Sequence, residues 1–296
     1  MAGREVVQEG ASLHSCTQEC QLIPIDLGSS KFLLLDTPGF DDTNRSDAEV
    51  LKEIARILAA QYEIGVQLKG IIYLQRITDI KMSGHSMKAL KIFQEICGET
   101  ALTNVLVTTR WNEIEESLGA SRERELREDF WAFMLAKGSK LVRFHDSRHS
   151  AISLASHLLV AESVVLELQR DLVDHGKLLS ETGAGAFVHD DVEAIRAQHL
   201  VELQEMERLR GQLTESDTAM KRQVQRSLAK EQELLQKIEQ QQVSLQARVG
   251  EEVKQAIQQN TKSEKRLSWL KLGLGLFPTV LSILGIFVNV PPSASF

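Results

Sequence analysis

Between about residues 20 and 160, short apolar runs alternate with longer amphipathic segments, and this alternation restricts the fold more than any other feature. The sequence predicts five strands, at residues 21–27, 31–36, 69–77, 103–109 and 140–145. It predicts four helices, at residues 46–63, 85–98, 121–138 and 148–169. Such alternation is typical of a largely parallel sheet covered by crossover helices, a three-layer α/β domain. Only a Gly-Ser-Ser turn joins the first two strands, so these two are expected to be antiparallel.

The composition is typical of a globular protein in a reducing compartment. The chain has 296 residues, 43% of them hydrophobic, which suffices for one domain with a sizeable core and an extension. Its net charge of -7 argues against a general nucleic-acid-binding protein. Three cysteines, with no apolar signal segment after Met1, indicate free thiols inside the cell. The spacing of Cys16 and Cys20 suits a metal, but no second pair of ligands lies nearby, which favours ordinary thiols.

The character of the chain changes after about residue 180. The stretch GAGAF, residues 183–187, predicts a loop within a linker assigned to residues 171–189. Residues 190–266 contain no proline and are rich in Gln, Glu, Lys and Leu, which predicts a long helix or a helix pair.

Apolar residues in this helical region follow the 4-3 spacing of a coiled-coil seam. The seam consists of Val224, Leu228, Leu235, Ile238, Leu245 and Val249. Because Glu231, Gln242 and Glu252 fall on the same seam, the heptad pattern is imperfect. Two interpretations therefore stay open. The region is either a coiled coil, through which two copies of the chain could associate, or a solvated helix that folds back on the α/β domain.

The last segment, residues 268–290, is predicted to associate with a membrane. Its uncharged part, 272–290, is about 19 residues long, just enough for a transmembrane helix. Basic residues precede it, namely Lys262, Lys265, Arg266 and Lys271, which indicates a protein on the cytoplasmic face of an intracellular membrane. Three glycines and Pro278 weaken a straight helix, so a re-entrant insertion or a buried core helix are the alternatives.

A candidate ligand site lies in the stretch KFLLLDTPGFDDT, residues 31–43. The apolar run predicts a strand buried on both faces, and it ends at Asp36. In open α/β sheets, ligands bind beyond the carboxyl ends of the strands. A carboxylate at this point, followed by the flexible Gly39, suits Mg²⁺ and a phosphate. The alternative is a turn in which Asp36 caps backbone N–H groups.

Taken in order, the motifs resemble the G domain of fungal proteins in the septin-like and immunity-associated GTPase group, which belongs to the P-loop NTPase class. The resemblance covers about residues 12–160, and it assigns residues 1–170 to a G domain. SLHSCTQECQLIPI is similar to the first switch, which makes Thr17 a Mg²⁺ ligand by implication. FLLLDTPGFDDT is similar to the third motif, which implies a Mg²⁺-bound water at Asp36 and the γ-phosphate at Gly39.

The same resemblance extends to the recognition of the base. NVLVTTRWNEI is similar to the base-recognition strand of these proteins, which implies that Thr109, Arg110 and Asn112 face the guanine. Asn112 stands where the family has aspartate, so the preference for guanine should weaken because one acceptor is replaced by a donor. His145, Asp146 and Ser147 are candidates for the remaining base loop.

Two further departures bear on the chemistry. No GxxxxGK[ST] sequence occurs in the chain, although this loop supplies the N–H groups and the lysine that neutralise the phosphates. The strand before that loop normally lies in the middle of the sheet. Its loss is expected to leave two buried edges unless the N-terminal segment or a partner fills the gap. Phe40 stands where Ras-like enzymes have a glutamine that orients water, so no catalytic residue is assigned and hydrolysis should be slow.

Two hypotheses follow from these features. In the first, the chain is a membrane-associated G-domain protein that binds GTP or GDP with Mg²⁺ weakly and hydrolyses GTP slowly or not at all. In the second, it is a degenerate, non-catalytic G domain that acts as a scaffold through its coiled coil. The fold resemblance alone does not choose between them.

Overall fold

The computed structural model describes residues 19–27, 30–40, 45–101, 104–213 and 218–262, and also 282–288. At residues 100, 260–262 and 282–288 it describes the backbone alone. The strands are β1 (Gln21–Leu27), β2 (Ser30–Thr37), β3 (Gln67–Arg76), β4 (Val105–Thr109), β5 (Lys140–Arg143) and β6 (Ser282–Val288). The helices of the first part are α1 (Asp47–Glu63), α2 (Gly84–Cys97), α3 (Glu116–Glu125), α4 (Ala132–Ala136), α5 (Arg148–Leu159) and the short α6 (Glu167–Gln169). The later helices are α7 (Gly183–Gln212), α8 (Thr218–Leu245) and α9 (Val249–Lys262).

The described strands form one mixed sheet in the order β1-β2-β6-β3-β4-β5. β1 pairs with β2 in antiparallel register, with Ile23 opposite Leu34, as the tight turn between them predicts. The pairs β2-β6, β6-β3, β3-β4 and β4-β5 are parallel. The prediction of an α/β domain with a largely parallel sheet is therefore confirmed.

The centre of the sheet is β6, which comes from the segment predicted to cross a membrane. Ile286 is aligned with Asp36 of β2 on one side and with Ile72 of β3 on the other. In the part of the chain that the structure describes, no helix is long and apolar enough to span a bilayer. The prediction of a transmembrane helix in 268–290 is thus wrong for the portion that forms β6, and the rest of that segment lies outside the described residues.

The physical reason for this error is that two environments select the same composition. A strand buried on both faces of a parallel sheet is a continuous apolar run, as is a membrane helix. The sequence SILGIFV contains three β-branched residues, and Gly285 disfavours a helix more than a short strand. Both features indicate a strand once a sheet with an open central position is available.

Each face of the sheet packs against its own layer of helices. Alternate residues of the strands, such as Leu33 and Leu35, point to a large core that includes α1 and α2. The intervening residues, such as Phe32 and Leu34, point to a smaller core closed by α5. α1 begins at a capping box, in which the Ser46 N–H donates to Glu49 Oε2 at 2.9 Å. The side chains of Tyr73 and Trp131, both fully buried, meet edge to face in the larger core.

The helices after residue 180 fold back on this domain. α7 and α8 run antiparallel, since Glu193 contacts Gln242 and His199 contacts Glu231. α7 packs on α2, and α8 and α9 pack on α1. Of the predicted coiled-coil seam, Leu228, Ile238, Leu245 and Val249 are all buried, and all but Leu228 belong to the larger core. The seam is therefore used within the chain, which corresponds to the alternative interpretation of a helix that folds back.

Two local predictions are wrong. The stretch 183–187, expected as a loop, is the first turn of α7, because Thr182 caps the helix by accepting a hydrogen bond from the Gly185 N–H at 3.1 Å. A Cβ atom at Gly185 would lie 1.7 Å from the Leu179 carbonyl oxygen, so the glycine permits close packing rather than a loop. The predicted helix 148–169 ends at Leu159, and Val164 then forms a bridge with Leu68 beside β3.

The central position of β6 can be tested with the variant Ile286→Pro. Every N–H of a central strand points to one of its two neighbours, and proline removes that hydrogen bond. We expect the free energy of unfolding, measured by urea denaturation of the full chain, to fall by at least about 3 kcal/mol. The control Ile286→Val keeps the N–H and the β-branched side chain, so it should lower the free energy of unfolding far less than the proline variant. Equal midpoints for the two variants would contradict the pairing.

Candidate functional site

The carboxyl ends of β2, β3, β4 and β5 meet at one edge of the sheet, where ligands of open α/β sheets bind. All the described residues predicted to form the nucleotide site lie at or just beyond these strand ends, namely Asp36, Gly39, Thr109, Arg110 and Asn112. Thr17 lies outside the described residues. Three inter-strand spacings, about 14 Å, separate β2 from β4, so the metal-side and base-side residues occupy opposite halves of the edge.

On the metal side, Asp36 is half-buried near the end of β2, and Phe40 is fixed in the core. Phe40 is 5% exposed and belongs to the larger hydrophobic core, so this position anchors the loop after β2 and offers no polar atom to a water. Gly39 is half-buried beside it. Asp36 alone does not make a Mg²⁺ site, because Mg²⁺ is usually held by one or two carboxylates together with substrate phosphates.

Beside Asp36, the residue Cys20 lies in a carboxylate-rich corner. The Cys20 N–H donates to Glu53 Oε1 at 2.6 Å, and Arg45 pairs with the other oxygen of Glu53 at 2.5 Å. Burial raises the pKa of the Cys20 thiol, and the negative charges of Glu53 and Asp36 raise it further. Cys16, the other member of the pair that the spacing singles out, lies outside the described residues.

On the base side, most of the motif Thr109-Arg110-Trp111-Asn112 is engaged in the protein itself. Arg110 adopts a left-handed conformation with φ 66° and pairs with Glu113 at 2.6 Å. The Trp111 indole is buried and donates to Thr108 Oγ1 at 2.9 Å. The Thr109 hydroxyl donates to the Gln75 carbonyl at 3.4 Å. Of these four residues, only Arg110 and Asn112 are exposed at the edge.

A charged cluster around Trp111 was not found by sequence reasoning. The Arg143 guanidinium lies 4.0 Å from the centre of the Trp111 ring. It donates bidentately to Glu123, with the shortest bond at 2.6 Å, and also to Glu116 at 2.6 Å. Hydrogen bonds to Glu123 and Glu116 raise the pKa of Arg143, so its guanidinium stays protonated. Neither spacing nor motif indicates this cluster, because its members come from β5, α3 and the turn after β4.

The residues after β5 form a structured turn next to the same tryptophan. Asp146 has a left-handed conformation with φ 50°, and Ser147 caps α5 by accepting from the Ser150 N–H at 3.1 Å. The His145 ring centre lies 6.2 Å from that of Trp111. Of the three residues predicted as the remaining base loop, His145 therefore lies beside the base-side motif, and Ser147 is engaged in capping α5.

A small cavity of about 240 Å³ opens beside the carboxyl end of β3. Its lining includes Gln75, Asp79 and Arg122. Arg122 donates to the Ile77 and Thr78 carbonyl oxygens at 3.0 and 2.8 Å, and burial raises the pKa of Asp79. Pockets for drug-sized ligands measure about 300–1,000 Å³, so this cavity is too small for a nucleotide.

The strand β6 lies between β2 and β3, in the centre of the carboxyl edge. The sequence that follows it, NVPPSASF, contains neither glycine nor lysine. These eight residues therefore lack the glycines and the lysine of a GxxxxGK[ST] loop.

The chain matches no protein-family model, and no curated protein is significantly similar to it.

The Trp111 cluster allows a matched pair of variants. Glu123 is buried and Glu116 is exposed, yet both pair with Arg143. We expect Glu123→Ala to lower the free energy of unfolding by about 2–3 kcal/mol, since it removes charge-assisted bonds in a buried site. Glu116→Ala should cost less than about 1 kcal/mol, as exposed ion pairs do. Thermal unfolding measures both, and equal losses would show that burial of Glu123 is unimportant.

Proposed function

We propose that this chain is a G-domain-like protein that binds guanine nucleotide weakly and does not hydrolyse GTP. The observation that carries the proposal is the central strand β6. It lies between β2 and β3, in the middle of the sheet, where the resemblance to G domains places the strand that the chain lacks. The strand completes the sheet without bringing a phosphate-binding loop with it.

The remaining positions support binding more than catalysis. Asp36 and Asn112 lie at the two halves of the carboxyl edge, where a metal ion and a base would be held. Phe40 is buried and has no group that could orient a water. With the cradle absent, several charge-assisted contacts of about 1.5–3 kcal/mol each are lost, which corresponds to at least about a hundredfold in affinity.

A titration of the full chain with a fluorescent GTP analogue and Mg²⁺ tests this proposal. We expect an affinity weaker than about 1 μM and no phosphate release above the buffer rate. Asp36→Asn should weaken any Mg²⁺-dependent binding. The control Asp26→Asn, at the opposite edge of the sheet, should leave it unchanged. Submicromolar affinity together with GTP hydrolysis would overturn the proposal.

A second candidate function is that of a scaffold that associates with a second copy of itself through the α7-α8 hairpin. The observation that favours it is a set of exposed apolar side chains on these two helices. Leu209 is 47% exposed and Met220 is 55% exposed. Because α7 and α8 are antiparallel, the two residues lie near each other at the end of the hairpin. A patch of this kind can meet its own copy across a twofold axis.

Light scattering after size-exclusion chromatography tests self-association. We expect the unmodified chain to form a dimer at micromolar concentration, and the double variant Leu209→Glu with Met220→Glu to be monomeric because it places four like charges in the interface. The double variant Glu205→Gln with Glu207→Gln, on the exposed surface of α7, is the control and should remain dimeric. A monomeric unmodified chain would exclude this function.

A further inference from the structure

A histidine and two glutamates converge between α7 and α8, far from the carboxyl edge of the sheet. They are His199 and Glu202 of α7 and Glu231 of α8. One potential ligand atom from each residue lies within 4.8 Å of the others. His199 Nδ1 is 2.5 Å from Glu231 Oε1 and 3.9 Å from Glu202 Oε2. Two carboxylates therefore face the same ring nitrogen.

The electrostatics of this cluster are incompletely balanced. A neutral imidazole donates one proton from Nδ1, so it satisfies only one carboxylate, and a protonated imidazole cancels only one of two negative charges. Among the described residues, no lysine or arginine pairs with Glu202 or Glu231, and Glu202 accepts one further bond, from the neutral amide of Gln198 at 3.1 Å. A divalent cation would neutralise both carboxylates.

The burial of Glu231 separates this cluster from ordinary surface acids. Its side chain is 7% exposed, and it lies on the apolar seam of α8 between Leu228 and Leu235. A carboxylate in such a place costs several kcal/mol unless a cation accompanies it. Glu202 is 42% exposed at the side chain, which leaves a path for an ion from solvent. Glu231, one of the polar residues that make the heptad pattern imperfect, is thus the buried member of the cluster.

We propose that His199, Glu202 and Glu231 form a binding site for a divalent transition-metal ion, with Zn²⁺ as its representative. Imidazole nitrogen and carboxylate oxygen are both zinc ligands, and three protein ligands with a water in the fourth position give the open type of zinc site. In a tetrahedral site with bonds of about 2.0–2.2 Å, ligand atoms lie about 3.3–3.6 Å apart, so changes of side-chain rotamer suffice to form it. The nitrogen ligand disfavours Mg²⁺ and Ca²⁺, which prefer oxygen alone. The ion would fasten α7 to α8, independently of nucleotide binding.

Isothermal titration of the full chain with Zn²⁺ tests the site. We expect one saturable ion per chain, with no comparable heat from Mg²⁺. His199→Ala should weaken this binding by more than about a hundredfold, since it removes one of three ligands. The matched control is His189→Ala. His189 lies on the same helix, 3.9 Å from Glu193, and its nearby carboxylates, Glu193 and Asp190, are both exposed. This control should keep its affinity within about threefold.

A second variant distinguishes the loss of a metal ligand from misfolding of the chain. Glu202→Gln changes a partly exposed side chain and should keep the helical circular dichroism of the unmodified chain, yet lose at least about tenfold in Zn²⁺ affinity. X-ray absorption at the zinc edge should show nitrogen and oxygen ligands and no sulfur, which excludes the cysteines. Absence of saturable binding, or binding unchanged in His199→Ala and Glu202→Gln, would overturn the proposal and leave His199 as a hydrogen-bond partner of Glu231.

Discussion

The backbone ladder between β6 and its two neighbours is the constraint on which the rest of the structure depends. Without that strand, β2 and β3 would each present a row of unpaired N–H and C=O groups in the interior of the domain, where the lack of partners is costly. The residues that fill the position come from the far end of the chain. Closing the sheet therefore ties the last segment to the first strands, and the helices in between must return to the same body.

The returning helices contribute to the core rather than extending away from it. α9 and the end of α8 pack on α1, and the first half of α7 packs on α2. Val249 and Leu245 are fully buried in the same core as Leu51 and Ile54. The α/β domain and the helical region thus share one hydrophobic interior, and a boundary drawn from the change in composition after residue 180 does not separate two independently packed units.

Features encoded by neighbouring residues could be predicted from the sequence, and features that join distant segments could not. The strand Gln21–Leu27 has the predicted bounds, because alternation and the flanking turn are local properties. β6 was mistaken for a membrane segment, because its apolar composition does not reveal which strands it pairs with. At the carboxyl edge, Asp36 is predicted from its position after an apolar run, whereas the Thr109 motif is predicted from the resemblance to G domains. Arg143 was missed, since its stacking on Trp111 follows only from the order of the strands.

The order in which the chain is synthesised gives the position of β6 a consequence for folding. A ribosome makes β2 and β3 early, but the strand that joins them emerges only after the long helices have been made. Pairing between segments so distant in sequence slows folding and exposes unpaired edges in the meantime. The nascent chain must therefore carry an open sheet until residues 282–288 leave the exit tunnel. During that interval β2 and β3 expose unpaired edges, which favour aggregation of the incomplete chain.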